Sequence, residues 1–261
     1  MILKESFFKG KQFLTRLIFP VKCMVCGESI PRDGVYLCEE CLPKLYHEAR
    51  KSCPACLRAI EYCDCHVVKH VVHMSCIFFY ASEPIKKLFY TLKNTGDRRY
   101  FDFMGEFLGR TIASRLGLTK ETELPFECVT YVPRFPPRKN EIGYDQSKQL
   151  AKAVAKHFGI KVLPLLKHTG KAGEQKRLSQ FDRRHAVKTR YVINRRLLND
   201  RGKLSQKAVL LIDDITTTGA TLNECAMILE SFGVKRVYGA VVAKTVHIKR
   251  YDYPDAEDLY R

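Results

Sequence analysis

Short apolar runs bounded by turn residues alternate along this chain with stretches whose apolar positions recur every three or four residues. Residues 75–80, 129–132, 160–166, 191–193, 208–212 and 236–244 are runs of the first kind and predict strands. Between them, Ile85, Leu88, Phe89 and Leu92 predict a helix opened by Pro84 and ended at Asn94-Thr95-Gly96. Phe103, Phe107, Ile112 and Leu116 mark a second helix over about 101–116, and Leu150, Val154 and Phe158 a third, with Asp145 as its N-cap. A fourth follows from Leu222, Ala226, Leu229 and Phe232. Strands alternating with helices in this way predict an α/β fold on a parallel sheet with helices on both faces.

Two segments break the alternation. Residues 168–188 carry Lys171, Lys176, Arg177, Arg183, Arg184 and Lys188 with almost no apolar period, and Gly170 and Gly173 are candidate hinges. A loop this long inside a compact domain is a functional one or a disordered one, and between strands of such a sheet a closing lid is the physical reading. Residues 1–19 are apolar at Leu3, Phe7, Phe8, Leu14, Leu17 and Ile18, yet Lys4, Glu5, Lys9, Lys11 and Arg16 interrupt them. That pattern predicts an amphipathic docking helix over 1–20, with peripheral membrane contact as the weaker option. It is too interrupted for stable membrane insertion, and no small-residue cleavage pattern follows, so the expected location is the cytoplasm.

Charge changes the picture of the middle of the chain. The net charge is +17, and residues 76–208 alone hold 28 basic against 12 acidic residues. So uneven a distribution predicts an electropositive surface for phosphorylated ligands or polyanions, against a generally basic, well-solvated protein. The clusters at 167–190 and 195–207, interleaved with Phe181 and Tyr191, make single-stranded DNA a candidate partner if those rings are exposed rather than part of the core.

Eight of the 11 cysteines lie between 23 and 65, as Cys23-x2-Cys26, Cys38-x2-Cys41, Cys53-x2-Cys56 and Cys63-x-Cys65. Without a secretory signal, disulfides are the poorer reading, and no βαβ pattern surrounds these pairs to suggest redox chemistry. Two four-thiolate zinc sites in series are expected, structural because no ligand position is left for a substrate. His66 competes with Cys65, since Cys63-x2-His66 also has ligand spacing. The remaining Cys76, Cys128 and Cys225 sit in apolar patterns and read as small core residues.

The densest chemistry is at Ala208-Val-Leu-Leu-Ile-Asp-Asp-Ile-Thr-Thr-Thr-Gly-Ala-Thr221. A buried strand ends in two carboxylates, and a hydroxyl-rich turn then opens a helix. Backbone N–H groups at that helix start, with the hydroxyls of Thr216, Thr217, Thr218 and Thr221 and the backbone of Gly219 and Ala220, suit a dianionic phosphate. Asp213 and Asp214 accept hydrogen bonds only and suit the two hydroxyls of a ribose. A phosphate beside a diol describes ribose 5-phosphate, whereas a lone acidic pair would read as a solvated helix cap. The loop is neither G-x-x-x-x-G-K nor G-x-G-x-x-G.

This stretch resembles the phosphoribosyl pyrophosphate (PRPP) signature of type I phosphoribosyltransferases. Over nearly its whole length the chain also resembles the ComF family of competence-associated proteins. The resemblance rests on the cysteine pairs with their Leu17-Ile-Phe-Pro20 entry, Leu92-Lys93, Val132-Pro133, Gly143-Tyr-Asp-Gln-Ser147, Gln175-x2-Leu178 with Arg183, and the 213–221 loop. It departs where the family's R-G-F-N-Q-S is Ile142-Gly-Tyr-Asp-Gln-Ser, and where the family's Asn three residues after Arg183 is Ala186.

The resemblance implies a double zinc ribbon over 21–68, a phosphoribosyltransferase-like domain over 69–248 and a mobile acidic tail over 249–261. It also implies Mg²⁺-assisted displacement of pyrophosphate from PRPP, with Lys93, Arg134, Arg138, Lys139, Lys176, Arg177 and Arg183 as candidates for the pyrophosphate and lid. Thr217 stands where purine enzymes usually carry an acidic residue, so no local general base is evident. The expected setting is DNA uptake in natural transformation, with uptake-machinery proteins as possible partners. The alternative to catalysis is a single-stranded-DNA-binding protein that takes PRPP as an effector.

Overall fold

The computed structural model describes residues 21–30, 36–53, 58–59, 68–135, 144–169, 190–199, 202, 204 and 208–245. In chain order the elements are α1 (Cys41–Ala49), β1 (His73–Phe79), α2 (Glu83–Asn94), α3 (Arg98–Arg115), β2 (Cys128–Tyr131), α4 (Gln146–Phe158), β3 (Lys161–Val162), β4 (Leu166–His168) and β5 (Tyr191–Ile193). A 3₁₀ turn at Arg195–Leu197, then β6 (Ala208–Thr216), α5 (Ala220–Ser231) and β7 (Arg236–Lys244), complete them. Five strands form one sheet in the order β1-β7-β6-β2-β3, and all four pairings are parallel.

Alternation along the strands sorts the core into two layers, one on each face of the sheet. Leu210 and Ile212 of β6 and Ala240 and Val242 of β7 join Ile85, Leu88 and Leu92 of α2, Phe101, Met104, Leu108 and Ile112 of α3, and Leu150 and Val154 of α4. Val209 and Leu211 of β6 and Val237 and Val241 of β7 point the other way, onto Leu222, Cys225, Ala226 and Leu229 of α5. The expected parallel sheet with helices on both faces is thus the observed one. Cys76, Cys128 and Cys225 are core residues, as their apolar surroundings predict.

The first layer extends into the cysteine-bearing segment. Cys23, Met24, Leu37, Cys41 and Leu45 belong to the same apolar cluster as α3. Tyr100 of α3 donates from its hydroxyl to the Lys22 carbonyl at 2.9 Å, and Tyr36 meets Tyr100 and Phe103 edge-on at 5.5 and 5.6 Å.

The elements depart from the pattern in two places. The apolar run at 160–166 is two strands in different sheets: β3 pairs with β2, and β4 pairs antiparallel with β5. Pro164 lies between them, lacks an N–H for the ladder and lends its carbonyl to the Asn194 amide instead. The helix expected from about 101 begins at Arg98, because the Asp97 carboxylate accepts from the Arg99 N–H at 2.9 Å and caps it.

Helices α3 and α4 approach too closely for side chains at their crossing. A Cβ on Gly105 would collide with Ala153, and one on Gly109 would lie 2.5 Å from the His157 ring. In a solvated helix Gly→Ala stabilises by about 1 kcal/mol, but overpacking costs about 1–3 kcal/mol. The sign therefore reverses here: Gly105→Ala should lower unfolding stability by about 1–2 kcal/mol in urea titrations.

Candidate functional site

The two βαβ units built on β2-α4-β3 and β6-α5-β7 run outward from the β2/β6 boundary with their helices on opposite faces. Such a reversal opens a crevice at the carboxyl ends of the strands, where open α/β sheets take ligands. A cleft of about 1150 Å³ lies there, with Arg134, Ser147, His168, Asp213, Asp214 and Thr221 among its lining residues.

Its floor is a hydrogen-bonded acidic pair. Asp213, 9% exposed, accepts from the Ser147 hydroxyl and the Asp214 N–H, each at 2.9 Å. Burial, and after it the neighbouring Asp214 charge, pushes the Asp213 carboxyl well above its ordinary range, although the Ser147 bond opposes the shift. Asp214 accepts from Arg134 Nη2 at 2.8 Å and from the Ile215 N–H at 2.8 Å. That ion pair crosses the β2/β6 boundary.

Asp145 supports both sides of the crossing. One of its oxygens caps α4 by accepting from the Lys148 N–H, and the other accepts from the Arg134 N–H, each at 3.1 Å. The carboxylate that replaces the family's asparagine is therefore a structural bridge. Next to it, the Tyr144 hydroxyl lies 2.9 Å from the carbonyls of Leu92 and Lys93, and Gln146 Nε2 donates to Leu92 at 3.5 Å. These contacts fix the end of α2 on which Lys93 enters the cleft. Ser147, Tyr144 and Gln146 were absent from the sequence-predicted site, though the Gly143–Ser147 motif contains all three.

The hydroxyl-rich loop runs differently from its expected course. Strand β6 continues past the carboxylates to Thr216, which pairs with Lys244 and is buried. Thr217 and Thr218 are exposed, Thr221 lines the cleft, and Thr218 Oγ1 accepts from the Ala220 N–H at 3.3 Å. Gly219 turns the chain into α5 at φ 77°, and a Cβ there would sit 2.7 Å from Val68. Both backbone angle and contact require glycine. Val68 leads out of the cysteine-bearing region, and His70 two residues on meets Asn223 and Glu230 of α5.

The two ends of the basic segment meet in the β4–β5 pair, which Arg190 ties to α5 through Glu224. Tyr191 is 6% exposed and packs edge-on against His168, so it is a core ring and offers no stacking face. Arg138, Lys139, Lys176, Arg177, Phe181 and Arg183 lie outside the described residues.

At the other end of the chain, one ligand atom from each of Cys23, Cys26, Cys38 and Cys41 lies within 4.8 Å of the others, a cluster able to hold a metal ion. The Cys26 and Cys38 sulfurs are 3.7 Å apart. Zn–S bonds of about 2.3 Å in a tetrahedron require S···S distances of about 3.8 Å, so the donor set fits zinc. Burial disfavours the Cys23 thiolate, but backbone N–H groups of Cys26, Cys38 and Val25 outweigh it and bring the thiol down to about 7. Of the second set, Cys53 is buried, while Cys56, Cys63, Cys65 and the competing His66 lie outside the described residues. The backbone nevertheless repeats at an offset of 30: Cys23 N–H to Glu28 recurs as Cys53 N–H to Arg58, both at 2.7 Å, and the Lys22–Ser29 bridge as Ser52–Ala59.

The sequence model of the phosphoribosyl transferase domain matches residues 145–257, from the Asp145 cap through the acidic pair and its loop. Competence protein ComFC of Streptococcus pneumoniae is 28% identical over 236 residues, covering 83% of this chain and 97% of that protein. These likenesses support a ComF-family protein with a phosphoribosyl transferase domain. Competence protein F of Haemophilus influenzae is 30% identical over 149 residues, 52% of this chain and 62% of its own length. Among solved structures, the glutamine PRPP amidotransferase of B. subtilis is 18% identical over 58% of this chain and 26% of its own, with a TM-score of 0.37. No described helix is long and apolar enough to cross a membrane.

Proposed function

We propose that this protein is of the ComF type, binds PRPP in the β2/β6 cleft and transfers its phosphoribosyl group, in the setting of DNA uptake that its competence-protein relatives suggest. The observation that carries the reading is the acidic pair Asp213–Asp214, held by Ser147 and Arg134 at the sheet's reversal point beside the start of α5. In this reading Asp213 and Asp214 hold the ribose hydroxyls, and Thr216 through Thr221 hold the 5′-phosphate. Lys93 and Arg134, with Arg138, Lys139, Lys176, Arg177 and Arg183, are the candidates for the diphosphate and lid. The acceptor forms a bond to ribose C1 as the C1–oxygen bond breaks, and the electron pair leaves with pyrophosphate. Mg²⁺, when bound, would help neutralise that leaving group. Arg134 favours departure by exchanging Asp214 for the diphosphate, which also frees Asp214 for the sugar.

The cysteine clusters hold two structural zinc ions in this reading, and the 30-residue repeat of backbone bonds supports the second. The proposed divisions are an amphipathic helix over 1–20, a double zinc ribbon over 21–68, the transferase-like domain over 69–248 and an acidic tail over 249–261, in a cytoplasmic protein. The absence of an acidic base at Thr217 favours a second reading, in which PRPP is an effector and single-stranded DNA the ligand.

Calorimetric titration with PRPP and Mg²⁺, followed by pyrophosphate-release assays across acceptors, separates the two. PRPP binding with pyrophosphate release supports transfer, whereas binding without release in any mixture supports the effector role. No PRPP binding at all removes both.

A further inference from the structure

The cleft, about 1150 Å³, stands at the upper end of small-molecule sites, which measure roughly 300–1,000 Å³. The acidic pair stands near the carboxyl end of β6, and helix α2 also lines the cleft with a different chemistry. The inner face of α2 buries Ile85, Leu88 and Leu92. Its outer face exposes Lys86, Lys87, Tyr90 and Lys93, and all four line the cleft. These positions follow the helical spacing of one solvent-facing stripe.

Two observations on that wall point to a ligand. First, none of the three lysines has an ion pair among the described residues, and Glu83 is the one carboxylate that α2 brings to the cleft. Second, Tyr90 is 72% exposed, and it is the one ring among the large exposed apolar residues that lines this cleft. Beside it, Tyr80 and Phe89 meet edge-on at 5.3 Å, and both also line the cleft. A solvated lysine face alone would need no explanation, but an unburied ring among lysines in a concave site does.

We propose that the α2 wall, through Lys86, Lys87 and Tyr90, binds a nucleotide unit, an aromatic base joined to a phosphate, while Lys93 at the end of the helix stays with the diphosphate. The chemistry narrows the ligand by elimination. A free base would satisfy Tyr90 and leave the Lys86 and Lys87 ammonium groups uncompensated. Inorganic phosphate or a diphosphate would satisfy the lysines and leave the ring in water. A sugar or a metal ion would find few carboxylates on this side. A base stacked on Tyr90 with its phosphate among the lysines uses both features. The unit belongs either to a free mononucleotide or to a single strand, since Lys86, Lys87 and Tyr90 are exposed to solvent. The proposal rests on the PRPP reading only for which side of the cleft the sugar phosphate takes. It moves the stacking face from buried Tyr191 to exposed Tyr90.

The test is calorimetric titration of the full chain, with and without saturating PRPP and Mg²⁺, using AMP, adenosine, inorganic phosphate and a twelve-residue oligo(dA). AMP or the oligonucleotide should bind, and adenosine and phosphate should bind at least tenfold more weakly than AMP or not at all. Equal affinity for AMP and the oligonucleotide assigns a mononucleotide, and binding of the oligonucleotide alone assigns a strand. Tyr90→Ala should weaken the bound probe about tenfold and Tyr90→Phe should retain it. Lys86→Gln with Lys87→Gln should flatten its salt dependence. Circular dichroism checks that the variants stay folded, and their PRPP affinity should be unchanged. Failure of every probe at low salt, or equal binding by Tyr90→Ala and the parent, overturns the proposal. Loss of PRPP binding in the parent would instead sink the PRPP reading, because the nucleotide titrations without PRPP are read independently.

Discussion

Replacing Asp213 and Asp214 together with asparagine should lower PRPP affinity at least tenfold, about 1.4 kcal/mol, while the domain stays folded. The loss follows from removing two acceptor-only groups: an amide turns one of its two atoms into a donor and cannot accept from both ribose hydroxyls in the same way. Folding should survive for a reason specific to Asp213. Its folded-state pKa is raised above the ordinary 3.8 by burial first and by Asp214 second. A carboxyl shifted upward contributes stability that is fully present below its unfolded pKa and lost as pH rises through the folded value. At neutral pH the buried charge is therefore a cost, and Asp213→Asn removes it while its carbonyl still accepts from Ser147. This single variant should be at least as stable as the parent to urea at pH 7, with the advantage shrinking as pH falls toward 4. Asp214→Asn has the opposite structural consequence, because it leaves the half-buried Arg134 guanidinium without its charged partner. A double variant that binds PRPP like the parent would refute the assignment of the acidic pair.

The sheet was legible in the sequence because its central strands are buried on both faces, and continuous burial leaves an unbroken apolar run at 208–212. Helices α2 and α4 were legible for the complementary reason, one apolar stripe with Pro84 or Asp145 at its start. Residues 160–166 are apolar enough for one strand, but Pro164 interrupts any ladder, and that signal is present in the letters. No pattern in the letters shows strand order, which depends on which runs pair across more than a hundred residues, as β1 and β7 do.

The site divides in the same way. Local chemistry, the acidic pair with its hydroxyl turn and the cysteine knuckles at 23–41, could be read from spacing alone. Contacts across the fold could not: Ser147 with Asp213 and Arg134 with Asp214 join residues 66 and 80 positions apart. Tyr191 shows the limit from the other side. A ring among basic residues has the same sequence signature in a core as on a stacking surface, and only burial distinguishes the two.

Chelation of the metal, or Cys41→Ser, should have an effect reaching well beyond the cysteine knuckles. Zinc supplies folding energy directly where the apolar core is small, and in isolated zinc-finger peptides this amounts to about 10–16 kcal/mol. Here the cluster is continuous with the main core: Met24 and Leu45 are fully buried, and Tyr36 packs on Tyr100 and Phe103 of α3. Burial, and after it the neighbouring Cys38 thiol, pushes the Cys41 thiol far up, so without a cation the four sulfurs cannot all be thiolates. Metal uptake must then release protons, and affinity should fall as pH is lowered. Elemental analysis of the parent should give two zinc ions per chain, and Cys41→Ser should lose one. The chain has 13 tyrosines and no tryptophan, so tyrosine emission and near-ultraviolet dichroism are read without tryptophan interference, and the Tyr36–Tyr100 contact contributes to both. Both signals should change on chelation, and the thermal midpoint should fall by several degrees, because exposing this patch of α3 costs more than about 1 kcal/mol. One zinc ion in the parent would remove the second site, at Cys53, Cys56, Cys63 and Cys65. If Cys65→Ser keeps both ions and His66→Ala loses one, His66 takes the place of Cys65. Full metal content in Cys41→Ser would show that the first site is built from other ligands.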